Sequence, residues 1–157
     1  MGPIEWLENN LPAMERNKQK VIQFIFLWQE YNHKYSQRVP SLGDRAGALS
    51  LANCPAAQHK YAELKGSFIS AFSQIPSSHP HNTPRTKLYA DYNGEKDVMY
   101  DTHHNSLEDF LKVVYQIRCN FLHGGKMREN AENDEKLVGW AYDCLNQLLN
   151  GIFYFSD

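Results

Sequence analysis

Apolar side chains recur at three- and four-residue steps in several stretches of the chain, the spacing that places them on one face of an α-helix. The first such stretch covers residues 13–36. Its apolar positions are Val21, Phe24, Ile25, Trp28 and Tyr31. Pro12 precedes it, and proline suits the first turn of a helix. The pattern therefore predicts a long amphipathic helix.

Two other stretches repeat the helical spacing. Residues 56–73 carry Tyr61, Leu64, Phe68, Ile69 and Phe72 on one face. Gly66 lies within this stretch and lowers its helix propensity slightly. The last predicted helix runs from about residue 132 to residue 154. Its apolar side is formed by Leu137, Val138, Trp140, Ala141, Cys144, Leu145, Leu148, Leu149 and Ile152.

A fourth predicted helix has recognisable signals at both ends. Ser106 opens it, and Asp109 follows three residues later, a near match to the capping box with Asp in place of Glu. Gly124 and Gly125 end it, since glycine readily adopts the left-handed conformation after a helix. Its buried face is expected to consist of Leu107, Phe110, Leu111, Val114, Ile117 and Phe121.

The segments between these stretches are rich in turn residues. Residues 37–55 hold Pro40, Gly43, Gly47 and Pro55, so we expect a loop with a short helical turn over 46–52. Residues 75–85 contain three prolines and predict an exposed loop. Alternating apolar positions flank Asn93-Gly94, which predicts a small β-hairpin near 86–100.

These elements predict an all-α fold, a bundle of four to five helices with one small β-hairpin insertion. The helices that end and start near residues 125 and 132 should pack antiparallel. The 157 residues suit a single domain over 1–157. Apolar residues make up 42% and charged residues 22%, as in ordinary globular proteins.

The net charge and the cysteine content indicate which partners and which cellular location to expect. The net charge of −2 gives no strong field, so a nucleic-acid partner would need a local basic patch. Three cysteines without a C-x-x-C pair favour a reducing, cytoplasmic location over a disulfide framework. We find no signal peptide pattern and no apolar run near the roughly 20 residues that a membrane span needs.

The stretch YQIRCNFLHGGK, residues 115–126, carries the candidate chemistry. Histidine transfers protons near neutral pH, and arginine offers a permanently charged fork that fits phosphate oxygens. Arg118 and His123 together would suffice for metal-free cleavage of an RNA phosphodiester, with Lys126 and Arg128 holding the flanking backbone. However, the two side chains lie about 140° apart around a regular helix, so they would converge on one cleft only near the helix end or by pairing with another copy of the chain. The alternative is a purely structural role, in which both side chains donate hydrogen bonds to carboxylates and to the free carbonyls at the helix end.

The same stretch resembles the signature helix of the HEPN superfamily, the higher eukaryote and prokaryote nucleotide-binding domains. These domains are α-helical, many are metal-independent endoribonucleases, and their motif is an arginine, four to six residues, and a histidine. Arg118 and His123 match it at the four-residue spacing. The context is close to a branch in prokaryotic defence proteins that reads I-R-N-N-L-F-H-G-G-K. The matching residues are Ile117, Arg118, Asn120, His123, Gly124, Gly125 and Lys126, while Phe121 and Leu122 exchange two apolar residues.

Cys119 departs from that pattern, since the family usually carries a polar residue, often Asn, directly after the arginine. Cysteine is a weak hydrogen-bond donor and orients an imidazole less well than an amide does. Either activity is reduced or Asn120 takes over the supporting role. Tyr115 is expected at the periphery of the site.

The resemblance implies a cytoplasmic homodimer whose two Arg–His motifs face one cleft. It implies RNA as the substrate, no cofactor and no metal, and a toxin–antitoxin or antiviral defence setting with an antitoxin or another defence protein as partner. The alternative is a non-catalytic HEPN module that binds a nucleotide or a protein.

Two further chemistries are weaker alternatives. Histidines at 79, 81, 103 and 104 flank the predicted hairpin and would bind a metal only if brought together. Cys119 and His123 are four positions apart on one helix face, but such neighbours seldom direct their reactive atoms at each other, which disfavours a thiol enzyme.

Overall fold

Helices make up most of the part of the chain that the structure describes. The computed structural model describes residues 18–75, 98–123 and 131–151, except the side chains of residues 18, 120–123 and 131–134. These ranges hold α1 (Lys18–Arg38), α2 (Asp44–Leu49), a 3₁₀ helix (Ser50–Asn53), α3 (Pro55–Ser73), α4 (Leu107–His123) and α5 (Ala131–Leu149). The predicted all-α class is confirmed.

Helix α5 is the central element, because it contacts α1, α3 and α4. The apolar stripe predicted for α1 faces this core. All five of its predicted residues are buried, as is Tyr35 one turn further on. The stripe predicted for α5 is also buried from Leu137 to Leu149. Periodicity thus identified the buried faces of α1 and α5 correctly, while Ile152, predicted on the same side of α5, lies outside the described residues.

An aromatic cluster joins α3, α4 and α5. The Trp140 ring lies 4.6 Å from Phe72, 5.6 Å from Tyr100 and 5.7 Å from Phe110, measured between centroids. Trp140 Nε1 donates to the Phe68 carbonyl at 3.1 Å, so the buried indole has its acceptor. The Phe110–Trp140 contact joins the first half of α4 to the middle of α5.

The capping box predicted at the start of α4 is present. Asp109 N donates to Ser106 Oγ at 3.0 Å, and Ser106 N donates to Asp109 Oδ2 at 3.1 Å. Two backbone N–H groups without a helical acceptor are therefore satisfied reciprocally. The shorter Asp side chain performs the role usually given to Glu.

Two predicted boundaries were wrong. Helix α5 ends at Leu149 rather than near residue 154, because Gly151 has a φ of +77° and turns the backbone out of the helix. In the predicted loop over 37–55, the helical turn expected at 46–52 begins earlier, at Asp44, and continues as a 3₁₀ helix to Asn53.

The predicted hairpin lies mostly at residues 86–97, outside the described residues, as do residues 13–17 of the first predicted helix. At its described end, Val98 forms a single bridge and Tyr100 is buried in the aromatic cluster. Tyr100 and Tyr61 share a hydrogen bond of 2.7 Å between their hydroxyls. None of the described helices is long and apolar enough to cross a membrane.

Candidate active site

Arg118 lies on the last third of α4 with its guanidinium against two aromatic rings. Its Cζ atom is 5.6 Å from the Trp28 centroid on α1 and 5.9 Å from the Tyr115 centroid one turn earlier. Only 20% of the Arg118 side chain is exposed. Cations are attracted to the faces of aromatic rings, and this attraction strengthens as water is excluded. The rings therefore hold the guanidinium charge at a fixed, mostly buried position.

A carboxylate that the sequence analysis missed completes the site. Arg118 Nη1 donates to Asp44 Oδ2 at 3.2 Å. Tyr115 Oη donates to the same oxygen at 3.1 Å, and Tyr35 Oη donates to Asp44 Oδ1 at 2.5 Å. Asp44, the first residue of α2, thus joins α1, α2 and α4 through three hydrogen bonds.

Both phenols act as donors at neutral pH. Burial, together with the hydrogen bond to Asp44, raises the pKa of Tyr35 well above its ordinary value. Burial, followed by the adjacent Cys119 sulfur and the Asp44 carboxylate, raises the pKa of Tyr115 in the same direction. Since the neutral phenols keep their protons, they stabilise the charged carboxylate rather than compete with it.

The guanidinium retains donors that the described residues do not use. Its buried Nε has no hydrogen-bond acceptor among them. Besides the bond to Asp44, Nη1 has one long contact, 4.0 Å, to Cys119 Sγ. A guanidinium has five N–H donors, and burying one without an acceptor costs free energy. Arg118 therefore carries more donors than its described partners accept from.

Two predicted supporting residues lie next to Arg118. Tyr115 bonds to Asp44, and the half-buried Cys119 places its sulfur beside the guanidinium. Asn120 and His123 belong to α4 by their backbone, and His123 is its last residue. The side chains of both, together with Lys126 and Arg128, lie outside the described residues.

The weak metal alternative involves two histidines in the described ranges. His103 and His104 follow Asp101 in an exposed turn, where Asp101 Oδ1 accepts from both backbone N–H groups at 2.8 Å. Across the described ranges, no group of three or more His, Cys, Asp or Glu residues is placed to hold a metal ion. The histidines at 79 and 81 lie outside those ranges.

Asp44 carried no recognisable signal in the sequence. It follows Gly43 in a segment predicted to be mainly loop, and an acidic residue at a helix start is ordinarily explained by the positive end of the helix. Its partner Arg118 is 74 positions away. Only the packing of α2 against α4 brings the two together.

No family model, curated protein or solved structure matches this chain. The functional interpretation therefore depends on the geometry of these residues and on the motif in α4. The described residues form a site in which Tyr115 Oη and Arg118 Nη1 converge on one anionic oxygen. This arrangement is suited to binding a phosphate.

Proposed function

We propose that the protein is a metal-independent endoribonuclease of the HEPN type, which cleaves RNA through the 2′-hydroxyl. The observation that carries the proposal is the setting of Arg118. Its charge lies against the rings of Trp28 and Tyr115, its Nε has no acceptor among the described residues, and the helix that carries it ends at His123.

In the proposed reaction, His123 takes the proton from the 2′-hydroxyl, and the 2′-oxygen attacks the adjacent phosphorus. The bond to the 5′-oxygen breaks, that oxygen receives a proton from solvent water, and the products are a 2′,3′-cyclic phosphate and a 5′-hydroxyl. Arg118 stabilises the negative charge that develops on the phosphate oxygens. Asn120 supports His123, while Lys126 and Arg128 bind the flanking RNA.

Within this proposal the resemblance to HEPN domains implies a homodimer, and the helix geometry is compatible with one. Arg118 and His123 are five positions apart, which separates them by about 140° around a regular helix. Two copies of α4 facing one cleft would supply both groups to one phosphate. The proposed setting is cytoplasmic toxin–antitoxin or antiviral defence, with an antitoxin or another defence protein as regulatory partner.

The alternative is a non-catalytic HEPN module that binds a nucleotide or a protein. The ion pair between Arg118 and Asp44 favours the protein-binding form of this alternative, because a neutralised arginine attracts phosphate less strongly. Cys119 in the motif favours it as well. A module of this kind would bind a nucleotide or a protein and would not cleave RNA.

The test is cleavage of a mixed RNA panel in EDTA by the wild type, His123→Ala and the control His33→Ala. His33 is an exposed histidine on α1, so its loss controls for a general effect of removing an imidazole. We expect His123→Ala to reduce the rate by about 10²–10⁴-fold, the usual contribution of general acid–base catalysis. We expect His33→Ala to cleave like the wild type.

Equal rates for the wild type and His123→Ala, with both proteins folded by circular dichroism, would remove the proposed role of His123. Absence of cleavage across the whole panel would favour the interaction module. If His33→Ala also loses cleavage, the loss in His123→Ala would not be specific to the proposed site.

A further inference from the structure

One oxygen of Asp44 marks the place where two donors on α4 meet. Tyr115 and Arg118 are three positions apart on α4 and therefore neighbours on its surface. Tyr115 Oη and Arg118 Nη1 lie 3.1 Å and 3.2 Å from Asp44 Oδ2. Two donors that converge on a single anionic oxygen form the kind of arrangement that also binds one oxygen of a phosphate.

The Asp44 carboxylate is less confined by its surroundings than the Arg118 guanidinium that it contacts. The Asp44 side chain is 43% exposed, whereas the Arg118 side chain is 20% exposed and lies against Trp28 and Tyr115. Rotation of the carboxylate toward solvent costs less packing than movement of the guanidinium. The hydrogen bond from Tyr35 to Oδ1 provides a pivot that the rotation need not break.

We propose that Asp44 occupies the place of a substrate phosphate oxygen and that phosphate binds by displacing Asp44 Oδ2 from Tyr115 and Arg118. This inference rests on the proposed function in taking Arg118 as the phosphate contact. It adds Tyr115 as a second donor to the same oxygen, and Asp44 as an internal competitor. Because the carboxylate and the phosphate are both anions, the charge of Asp44 weakens phosphate binding.

Inorganic phosphate is the probe for this exchange. The buried Arg118 Nε–H is expected to give a resolved ¹⁵N–¹H resonance, assigned by its loss in Arg118→Lys. Its shift during a phosphate titration yields the dissociation constant. We expect Asp44→Asn, which keeps the shape and removes the charge, to bind phosphate about tenfold more tightly, equivalent to about 1.4 kcal/mol.

The matched control is Asp143→Asn. Asp143 is 44% exposed and pairs with Lys20 at 2.8 Å, so this variant loses the same charge from a different ion pair of similar exposure. We expect it to bind phosphate like the wild type. If both variants bind phosphate more tightly by the same factor, the effect is due to net charge and the proposal is overturned. Unchanged or weaker phosphate binding by Asp44→Asn would also overturn it.

Tyr115→Phe provides a second test that leaves Asp44 intact. It removes one donor from the bound phosphate and the same donor from the competing Asp44 carboxylate, so exchange at one shared position predicts phosphate binding close to that of the wild type. Several-fold weaker binding would mean that phosphate gains the Tyr115 hydrogen bond without displacing Asp44 from it, and would overturn the shared oxygen position. This variant keeps the proposal testable even if Asp44→Asn does not fold.

The outcomes for phosphate and for RNA are separable. Tighter phosphate binding by Asp44→Asn without RNA cleavage by any variant would support the exchange and reject the ribonuclease. RNA cleavage that depends on His123, combined with no change in phosphate binding on loss of Asp44, would support the ribonuclease and reject the exchange.

Discussion

Gly47 and Gly66 form a matched pair for testing the packing around the site. Both lie inside helices, so replacement by alanine improves helix propensity by about 1 kcal/mol in each case. A Cβ atom at Gly47 would lie 2.7 Å from Tyr35 Cδ1 and 3.1 Å from Tyr35 Cε1. A Cβ atom at Gly66 would have no neighbouring atom within 4 Å. Only the first substitution creates a clash.

The Tyr35 ring has little room to yield, because it is 1% exposed and its hydroxyl is bonded to Asp44. Overpacking of this kind costs about 1–3 kcal/mol. We therefore expect Gly66→Ala to raise the free energy of unfolding by about 0.5–1 kcal/mol. We expect Gly47→Ala to be less stable than Gly66→Ala by about 1–3 kcal/mol.

Urea denaturation followed by far-ultraviolet circular dichroism measures both variants against the wild type. The difference between them isolates the clash, since the gain in helix propensity is common to both. Equal stabilisation by the two substitutions would refute the close approach of α2 to Tyr35. It would also weaken the argument that Tyr35 holds Asp44 in position.

Three further predictions concern the helix cap and the buried hydroxyl and indole groups. Ser106→Ala should lower the free energy of unfolding by about 1 kcal/mol through loss of the cap. The control Ser67→Ala, at an exposed position in the middle of α3, should change that free energy little. Equal changes in the free energy of unfolding, measured in urea, would contradict the cap. Burial raises the pKa of Tyr61 from 10.0 to about 12, so its contribution to stability is complete below pH 10 and lost as pH rises toward 12. Tyr61→Phe should therefore lose less free energy of unfolding than the wild type between pH 10 and about 12. An equal loss in both proteins would contradict this. Trp140→Phe should cost about 1–3 kcal/mol because it removes buried ring volume and the indole hydrogen bond to the Phe68 carbonyl, and a smaller loss in free energy of unfolding, measured in urea, would contradict that role.

Local sequence patterns predicted most of the helices and their buried faces. The capping box was readable because Ser106 and Asp109 are three residues apart and depend only on each other. The buried stripe of α1 was readable because every turn repeats it. The end of α5 was misjudged because apolar residues continue past Leu149 and the helical pattern with them, whereas the conformation of Gly151 decides where the helix stops.

The site was predictable only in part. Arg118 could be identified from its motif in α4, and its aromatic neighbour Tyr115 lies within the same stretch. Trp28 was predicted as a core residue, yet the packing of α1 beside α4 makes it the platform for a guanidinium. Asp44 could not be predicted, since pairing over 74 positions depends on how three helices meet.

The identity of the new RNA ends tests the central claim most directly. Cleavage through the 2′-hydroxyl in EDTA predicts fragments with a 2′,3′-cyclic phosphate and a 5′-hydroxyl, formed by the wild type and by His33→Ala but not by His123→Ala or Arg118→Ala. Fragments with a 3′-hydroxyl and a 5′-phosphate, or the same cyclic ends from His123→Ala, would contradict it.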